Sequence, residues 1–235
     1  MTSIFDYFSS LEYPGRNITV GRMDDGAIFF CYGIMGRSAH SKNRIFVKEN
    51  DIIKTKAYDE SLLKDPSLII YNAIIPIKDG YIVTNGDQSD TIYDYLKRGK
   101  PFEQALRTRA YENDAPNYTP RISALINFKK NDLEKVEFSI LKRGIQGGAR
   151  RFFFDYEKIE KNTAFVINTY SENTSPLKPF IGEPVEVAIP EITDIKELTN
   201  QIFNSQNDDN KISLYGLKYK NKKSEDIIIN VNGDK

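Results

Sequence analysis

The apolar residues of this chain fall in short, strand-length runs punctuated by turn signals, and that punctuation limits it to a sheet-rich fold. Residues 18–23 and 27–35 flank Asp24-Asp25-Gly26, a hairpin signal. Strands are expected next at 44–47, 52–57 and 68–77, and Lys78-Asp79-Gly80 turns the chain into another at 81–84. Further strands are expected at 121–128, 136–141, 150–156, 163–170, 212–219 and 227–231. Helical spacing interrupts the series three times. One helix runs over 89–97, capped by Asp87 or Ser89 and stopped by Gly99. A second opens with Pro101 in its first turn and carries Phe102, Ala105, Leu106 and Arg109 at helical spacing. A third covers 194–203 behind Thr193, after a proline-bearing stretch at 175–190. Strands grouped before and after helices predict an α+β fold, with two antiparallel sheets face to face and helices outside. One domain is expected over 1–235, with an extension at 1–16, a core at 17–206, and C-terminal strands and tail at 207–235.

Composition narrows the chemistry. Thirty-three basic residues balance thirty-three acidic ones, so no overall field attracts nucleic acid. No apolar run approaches the roughly 18 residues that read as a membrane span. The N-terminus MTSIFDYFSS lacks the basic start and small-residue cleavage site of a secretory signal. A lone Cys31 excludes an internal disulfide and fits a reducing compartment, so the cytoplasm is expected. One histidine and one cysteine argue against zinc. No carboxylate cluster has the loop geometry of a magnesium site, so neither metal nor cofactor is expected.

Five segments carry chemistry. The first, 36–44, holds Arg37, His40, Lys42 and Arg44 with Ser38, Ser41 and Asn43, and has no carboxylate. Guanidinium forks and hydroxyls suit a phosphate, although a solvated basic loop has the same composition. The second places Tyr71 and Asn72 inside an apolar run. Neighbouring strand residues face opposite ways, so only one can enter a given cavity, and Tyr71 is favoured over a core-tyrosine reading. The third, Thr84-Asn85-Gly86-Asp87, precedes a helix N-terminus; capping explains it as well as anion binding does. The fourth runs from Tyr111 and Glu112 through Asp114 to Thr119-Pro120-Arg121, placing carboxylates and an arginine at a strand mouth. That set suits proton transfer, and surface salt bridges would use the same residues. The fifth, 142–151, is a glycine-rich basic hairpin connection that matches neither a P-loop nor a dinucleotide turn. His40 has no neighbouring carboxylate to orient it for a nucleophile relay. Thr2 would become an N-terminal nucleophile if Met1 were removed, but about fifteen residues separate it from the first strand.

In their order, these segments resemble the archaeal-type IMP cyclohydrolase family, which also has bacterial members. The resemblance rests on Val20-Gly21-Arg22, Gly36-Arg37-Ser38 with Asn43-Arg44, Ile70-Tyr71-Asn72-Ala73, Thr84-Asn85-Gly86, Tyr111-Glu112 with Asp114, and Thr119-Pro120-Arg121-Ile122. Thr169-Tyr170 and 179–184 resemble bacterial relatives, and the match covers roughly 17–190. It implies a four-layered αββα fold similar to N-terminal-nucleophile hydrolases but without their nucleophile. It also implies closure of a formylated aminoimidazole carboxamide ribonucleotide to IMP with loss of water, and a homo-oligomer, a tetramer being one candidate. By motif match Arg44, Tyr71 and Glu112 are the expected catalytic residues. Arg37 and Ser38 with Arg44 are expected at the 5′-phosphate, and Arg121 or Asn72 at the base or ribose. Arg22, Asn43, Asn85, Gly86 and Thr119 complete the substrate-binding candidates. Glu112 is expected to assist proton removal from the carboxamide nitrogen, and Tyr71 to donate to the formyl oxygen. The segment 142–151 and the tail beyond about 208 have no counterpart in the resemblance.

Overall fold

Turn chemistry and alternation translate into elements as follows in the computed structural model, which describes residues 1–62, 69–130 and 132–233. The first part of the chain forms α1 (Ile4–Ser9), β1 (Asn17–Arg22), β2 (Ile28–Met35), α2 (Ala39–Lys42), β3 (Ile45–Glu49) and β4 (Ile52–Lys56). The middle forms β5 (Asn72–Ile77), β6 (Gly80–Thr84), α3 (Gln88–Lys97), α4 (Phe102–Arg107), β7 (Arg121–Lys129), β8 (Asp132–Arg143) and β9 (Ala149–Tyr156). The remainder forms β10 (Thr163–Asn168), β11 (Tyr170–Glu172), β12 (Lys178–Pro179), β13 (Val185–Ala188), α5 (Ile195–Ser205), β14 (Lys211–Lys220) and β15 (Lys223–Asn230).

The fold is α+β with two large antiparallel sheets. One is a seven-stranded meander running β3 to β9 in chain order; the other is six-stranded, ordered β13-β10-β1-β2-β14-β15. Period-two alternation assigns the faces. In β2, Ile28, Phe30, Tyr32 and Ile34 enter one core with Phe46, Val83, Ala124 and Phe138 of the meander. The alternate residues Phe29 and Cys31 join a second core with Ile4 and Phe8 of α1 and with Ile195, Leu198 and Ile202 of α5. Ile75, Ile82 and Leu125 of the meander meet Ile92 of α3 and Phe102, Ala105 and Leu106 of α4 in a third. Each fully buried aromatic or branched side chain contributes about 1.5–3 kcal/mol, so the inter-sheet core dominates.

Several expectations are corrected. The N-terminal stretch 1–16 contains a short helix capped by Ser3, whose side chain accepts from the Phe5 N–H, and it buries Ile4 and Phe8. The basic loop contains α2, closed by a Ser38–Ser41 capping box. The strand expected at 68–77 begins only at Asn72; Leu68 lies outside the described residues. Before it, the ladder to β4 shifts register, and the Thr55 hydroxyl bonds the Ile69 carbonyl and receives the Tyr71 N–H at 3.1 Å. The strand expected at 163–170 breaks at Thr169, because Thr169 pairs with Arg16 and not with a neighbouring strand. Helix α4 stops at Arg107, leaving Arg109 outside it. Asp194, not Thr193, caps α5, accepting from Lys196 and Glu197. Asp87 occupies the cap position of α3 without a capping bond, its carboxylate being taken by Arg109 and Arg121. The strands expected at 212–219 and 227–231 are present as β14 and β15, and they form a hairpin within the six-stranded sheet.

Helix α5 lies on its sheet through a notch at Gly216. A Cβ there would sit 2.0 Å from Thr199 Oγ1, and that hydroxyl is fixed by a 2.6 Å bond to the Ile195 carbonyl. Gly216→Ala therefore forces α5 off the sheet and lowers stability by about 1–3 kcal/mol. Urea unfolding at an unchanged m-value reads this loss, and wild-type stability would refute the notch.

Candidate active site

Four segments converge where β1 starts, β2 ends and β10 ends. They are the approach to β1 at 13–16, the basic loop after β2, the loop 111–119 before β7, and the chain after the Thr169 break. Together they line a cavity of about 270 Å³, at the small end of the roughly 300–1,000 Å³ range of ligand sites. Arg16, Arg44 and Glu112 line it and are only 7%, 6% and 4% exposed. Arg37, Ser38 and Ser41 line its outer part. A cavity of about 640 Å³ lies beside the β5–β6 turn, but its charged lining residues, Lys78, Asp79, Lys130 and Lys222, are all solvent-exposed.

The buried charges are not consumed by each other. Among the described residues, Arg16 Nε and Arg44 Nε and Nη1 have no hydrogen-bond partner, an expensive state for buried donors unless a ligand completes it. Burial is the largest influence on Glu112 and raises its carboxyl above the usual range; the charges of Arg16, Arg121 and Arg44 pull the other way. Arg44 is lowered by burial and by the charge of Arg16, whereas Arg16 stays firmly protonated because Glu112 and the neighbouring tyrosines outweigh its burial. Tyr71 is buried, and its hydroxyl lies 2.7 Å from that of Tyr32. It sits behind the cavity wall, within electrostatic reach of Arg16, Arg44 and Glu112.

The structure brings Arg37, Ser38, Arg44, Glu112 and Thr119 into one lining, with Tyr71 behind it. Arg37 reaches Asn173 Oδ1 at 2.8 Å and lies over the Tyr13 ring. Thr119 bonds the Asp114 carboxylate and the Tyr170 hydroxyl, the latter at 2.6 Å. The other candidates lie elsewhere or are occupied. Arg22 stands at the far end of β1, bound to Ile159 O, Gly26 O and Asp132, about 16 Å away by strand rise. Asn72 donates to Asp90 of α3 on the opposite face from Tyr71. Asn43 clasps the Asp59 backbone through both amide atoms. Asn85 joins Pro120 O, Ile122 N and Gln88. Gly86 makes room for Arg121, whose guanidinium would lie 2.5 Å from an added Cβ. Arg121 itself is held by Gln88 and Asp87 and acts on Glu112 through its charge. The tip at 144–148 is a glycine turn; Lys142 is fixed on Phe180 O and Arg143 lies over the Tyr118 ring.

Arg16, Tyr13, Ser41, Asp114, Asn117, Tyr170 and Leu177 line the cavity without having been expected among the site residues. For Arg16 a signal existed: a lone cation between Pro14-Gly15 and the first apolar strand, which is a strand-mouth position. Tyr170 reaches the site only because the strand breaks at Thr169, a feature of pairing that composition does not carry. Tyr13 and Tyr170 stack at 5.8 Å between ring centroids and form an aromatic wall. Thr2 lies at the other end of the sheet, where its carbonyl accepts from Ala188, a residue in register with Thr163. Among the described residues no group of three or more His, Cys, Asp or Glu side chains could hold a metal, and no helix is long and apolar enough to span a membrane.

Comparison with known proteins places the chain in a family. Residues 13–223 match the model of a family described as IMP cyclohydrolase-like protein, extending the likeness into β15. The IMP cyclohydrolase of Methanosphaera stadtmanae is 30% identical over 197 residues, covering 82% of this chain and 85% of that protein. That of Methanococcus maripaludis is 27% identical over 185 residues, 76% of this chain and 91% of the relative. That of Methanopyrus kandleri is 32% identical over 139 residues, 55% and 69% of the two chains. With a family model spanning most of its length and a relative matched nearly end to end, the chain belongs to the IMP cyclohydrolase-like family.

Proposed function

We propose that this chain closes the six-membered ring of a formylated aminoimidazole carboxamide ribonucleotide, releasing water and IMP. The observation that carries this reading is one cavity holding a buried carboxylate, Glu112, beside two buried guanidinium groups with unpartnered nitrogens. The substrate carries both reacting groups, so proximity is largely built in. Its carboxamide nitrogen attacks the formyl carbon, and Glu112 takes the nitrogen's proton. Charge grows on the former formyl oxygen, where Arg16 and the Tyr71 hydroxyl would stabilise it. That oxygen then leaves as water, carrying the proton returned by Glu112 and a second proton lost from the ring nitrogen as the ring C=N bond forms. Arg37, Ser38 and Arg44 are assigned to the 5′-phosphate, with Ser41 beside them. The Tyr13–Tyr170 wall offers a stacking face for the heterocycle. Ion strength at the rim is modest, so the buried pair carries most of the anion preference.

The same reading includes a four-layered αββα arrangement similar to N-terminal-nucleophile hydrolases, supported by helices packed on the outer face of each sheet. No role falls to Thr2, which sits away from the cavity. A cytoplasmic homo-oligomer, a tetramer among the candidates, belongs to this proposal and is read by light scattering of the purified protein.

Ring closure followed by ultraviolet absorbance tests the roles. Glu112→Gln loses at least about 100-fold in kcat, the lower end for a general base, and Tyr71→Phe loses about 100-fold as a missing preorganised donor. Near wild-type turnover in both would remove the mechanism. Glu112 must be ionised to accept a proton, so kcat rises with pH as its elevated pKa is passed. The acid limb therefore lies above the ordinary glutamate value of about 4.3. Arg16→Gln removes the largest opposing charge on Glu112 and moves that limb higher still. A limb that stays put would show that Arg16 does not act on this carboxylate.

A further inference from the structure

The Tyr32–Tyr71 pair carries more than packing. Tyr32 projects from the middle of β2 into the inter-sheet core, is fully buried, and packs against the Phe46 ring at 5.5 Å. Its hydroxyl has a single partner among the described residues, the Tyr71 hydroxyl at 2.7 Å. Two hydroxyls bonded only to each other hold two hydrogens and one hydrogen bond between them, so one hydrogen must point elsewhere. On Tyr32, fully buried in the inter-sheet core, that hydrogen would find no acceptor among the described residues, at the cost of an unsatisfied buried donor. On Tyr71 it lies on the side of Arg16, Arg44 and Glu112, the charged groups that line the cavity. The charged groups facing the pair are Arg16, Arg44 and Glu112, and neither guanidinium can accept a hydrogen bond.

We propose that Tyr32 is a positioning residue: it donates to the Tyr71 oxygen and so aims the Tyr71 hydrogen at the reacting oxygen of the substrate. The inference rests on the role given to Tyr71 under the proposed function and deepens it. The same bond pulls Tyr71 down against the burial that raises it, and adds to the burial that raises Tyr32. Tyr32 touches no substrate. It acts by keeping its neighbour's hydroxyl in one of two polarities, which a phenylalanine of the same shape would not do.

The test measures ring closure by Tyr32→Phe, Tyr71→Phe and the double variant, with folding checked by thermal melting. Expected for Tyr32→Phe is a roughly tenfold fall in kcat, the rate equivalent of one hydrogen bond at the upper end of its usual contribution, with KM within about twofold of wild type. The double variant should be no slower than Tyr71→Phe alone, because Tyr32 acts only through Tyr71. With 3-fluorotyrosine at position 71, the ¹⁹F titration midpoint should rise when Tyr32 becomes Phe. Wild-type kcat in Tyr32→Phe, additive losses in the double variant, or an unmoved midpoint would overturn the inference. If Tyr32→Phe does not fold, 3-fluorotyrosine at position 32 keeps the ring shape and strengthens the donor. The alkaline limb of kcat should then move down, and a stationary limb overturns the inference. Tyr71→Phe at the wild-type rate removes the underlying reading and this one together; a slow Tyr71→Phe beside a normal Tyr32→Phe removes this one alone.

Discussion

Two guanidinium groups buried within electrostatic reach of each other and of one buried carboxylate set the terms for this end of the molecule. Like charges in a low-dielectric site repel strongly, and burial adds to the penalty. The arrangement persists because Glu112 and the tyrosine oxygens lean the potential toward Arg16, while Arg44 bears the strain of its neighbour. Under the proposed function, an anion in the cavity would bond the guanidinium nitrogens left without partners among the described residues and offset that repulsion in one event.

The sandwich places these groups by interrupting its own regularity. Thr55 substitutes a side-chain hydroxyl for ladder bonds and releases the chain before Asn72, so that Tyr71 turns inward while Asn72 pairs with α3. Thr169 exchanges bonds with Arg16, which stops β10 and starts β11 one residue later, carrying Tyr170 to the cavity. In both places a threonine hydroxyl bonds backbone at the edge of a strand, and a buried tyrosine, Tyr71 or Tyr170, follows at the gap.

Much of the fold was legible because it follows from periodicity. The Asp24-Asp25-Gly26 turn, the alternation in β2, the run of meander strands and the helix ended by Gly99 all encode local geometry that no distant contact overrides. The short helices α1 and α2 were not, since six and four residues carry too little pattern to distinguish them from loop. Among the site residues, Arg37, Ser38, Arg44, Glu112 and Thr119 share the cavity lining. Motif matching cannot separate these from residues such as Asn43 and Asn85, whose polar groups close loops by bonding backbone. Arg22 illustrates the limit: its motif opens the family resemblance, yet its guanidinium ties two loops at the opposite end of the strand. Arg16 went unread because it stands before the first motif, in a stretch that resembled an appendage.

The strand order of the six-stranded sheet has a consequence for how the chain acquires its shape during synthesis. β14 occupies the place beside β2, although residues 36–210 separate them. The meander is made of nearest neighbours and can assemble as it leaves the ribosome, its contacts being local. The other sheet cannot, because β2 keeps a bare backbone edge until residues 211–220 emerge. A nascent chain stalled before Lys211 therefore presents Phe30 and Tyr32 on an open border, the kind of surface that holdase chaperones cover. The hairpin β14–β15 is the element that closes this edge of β2.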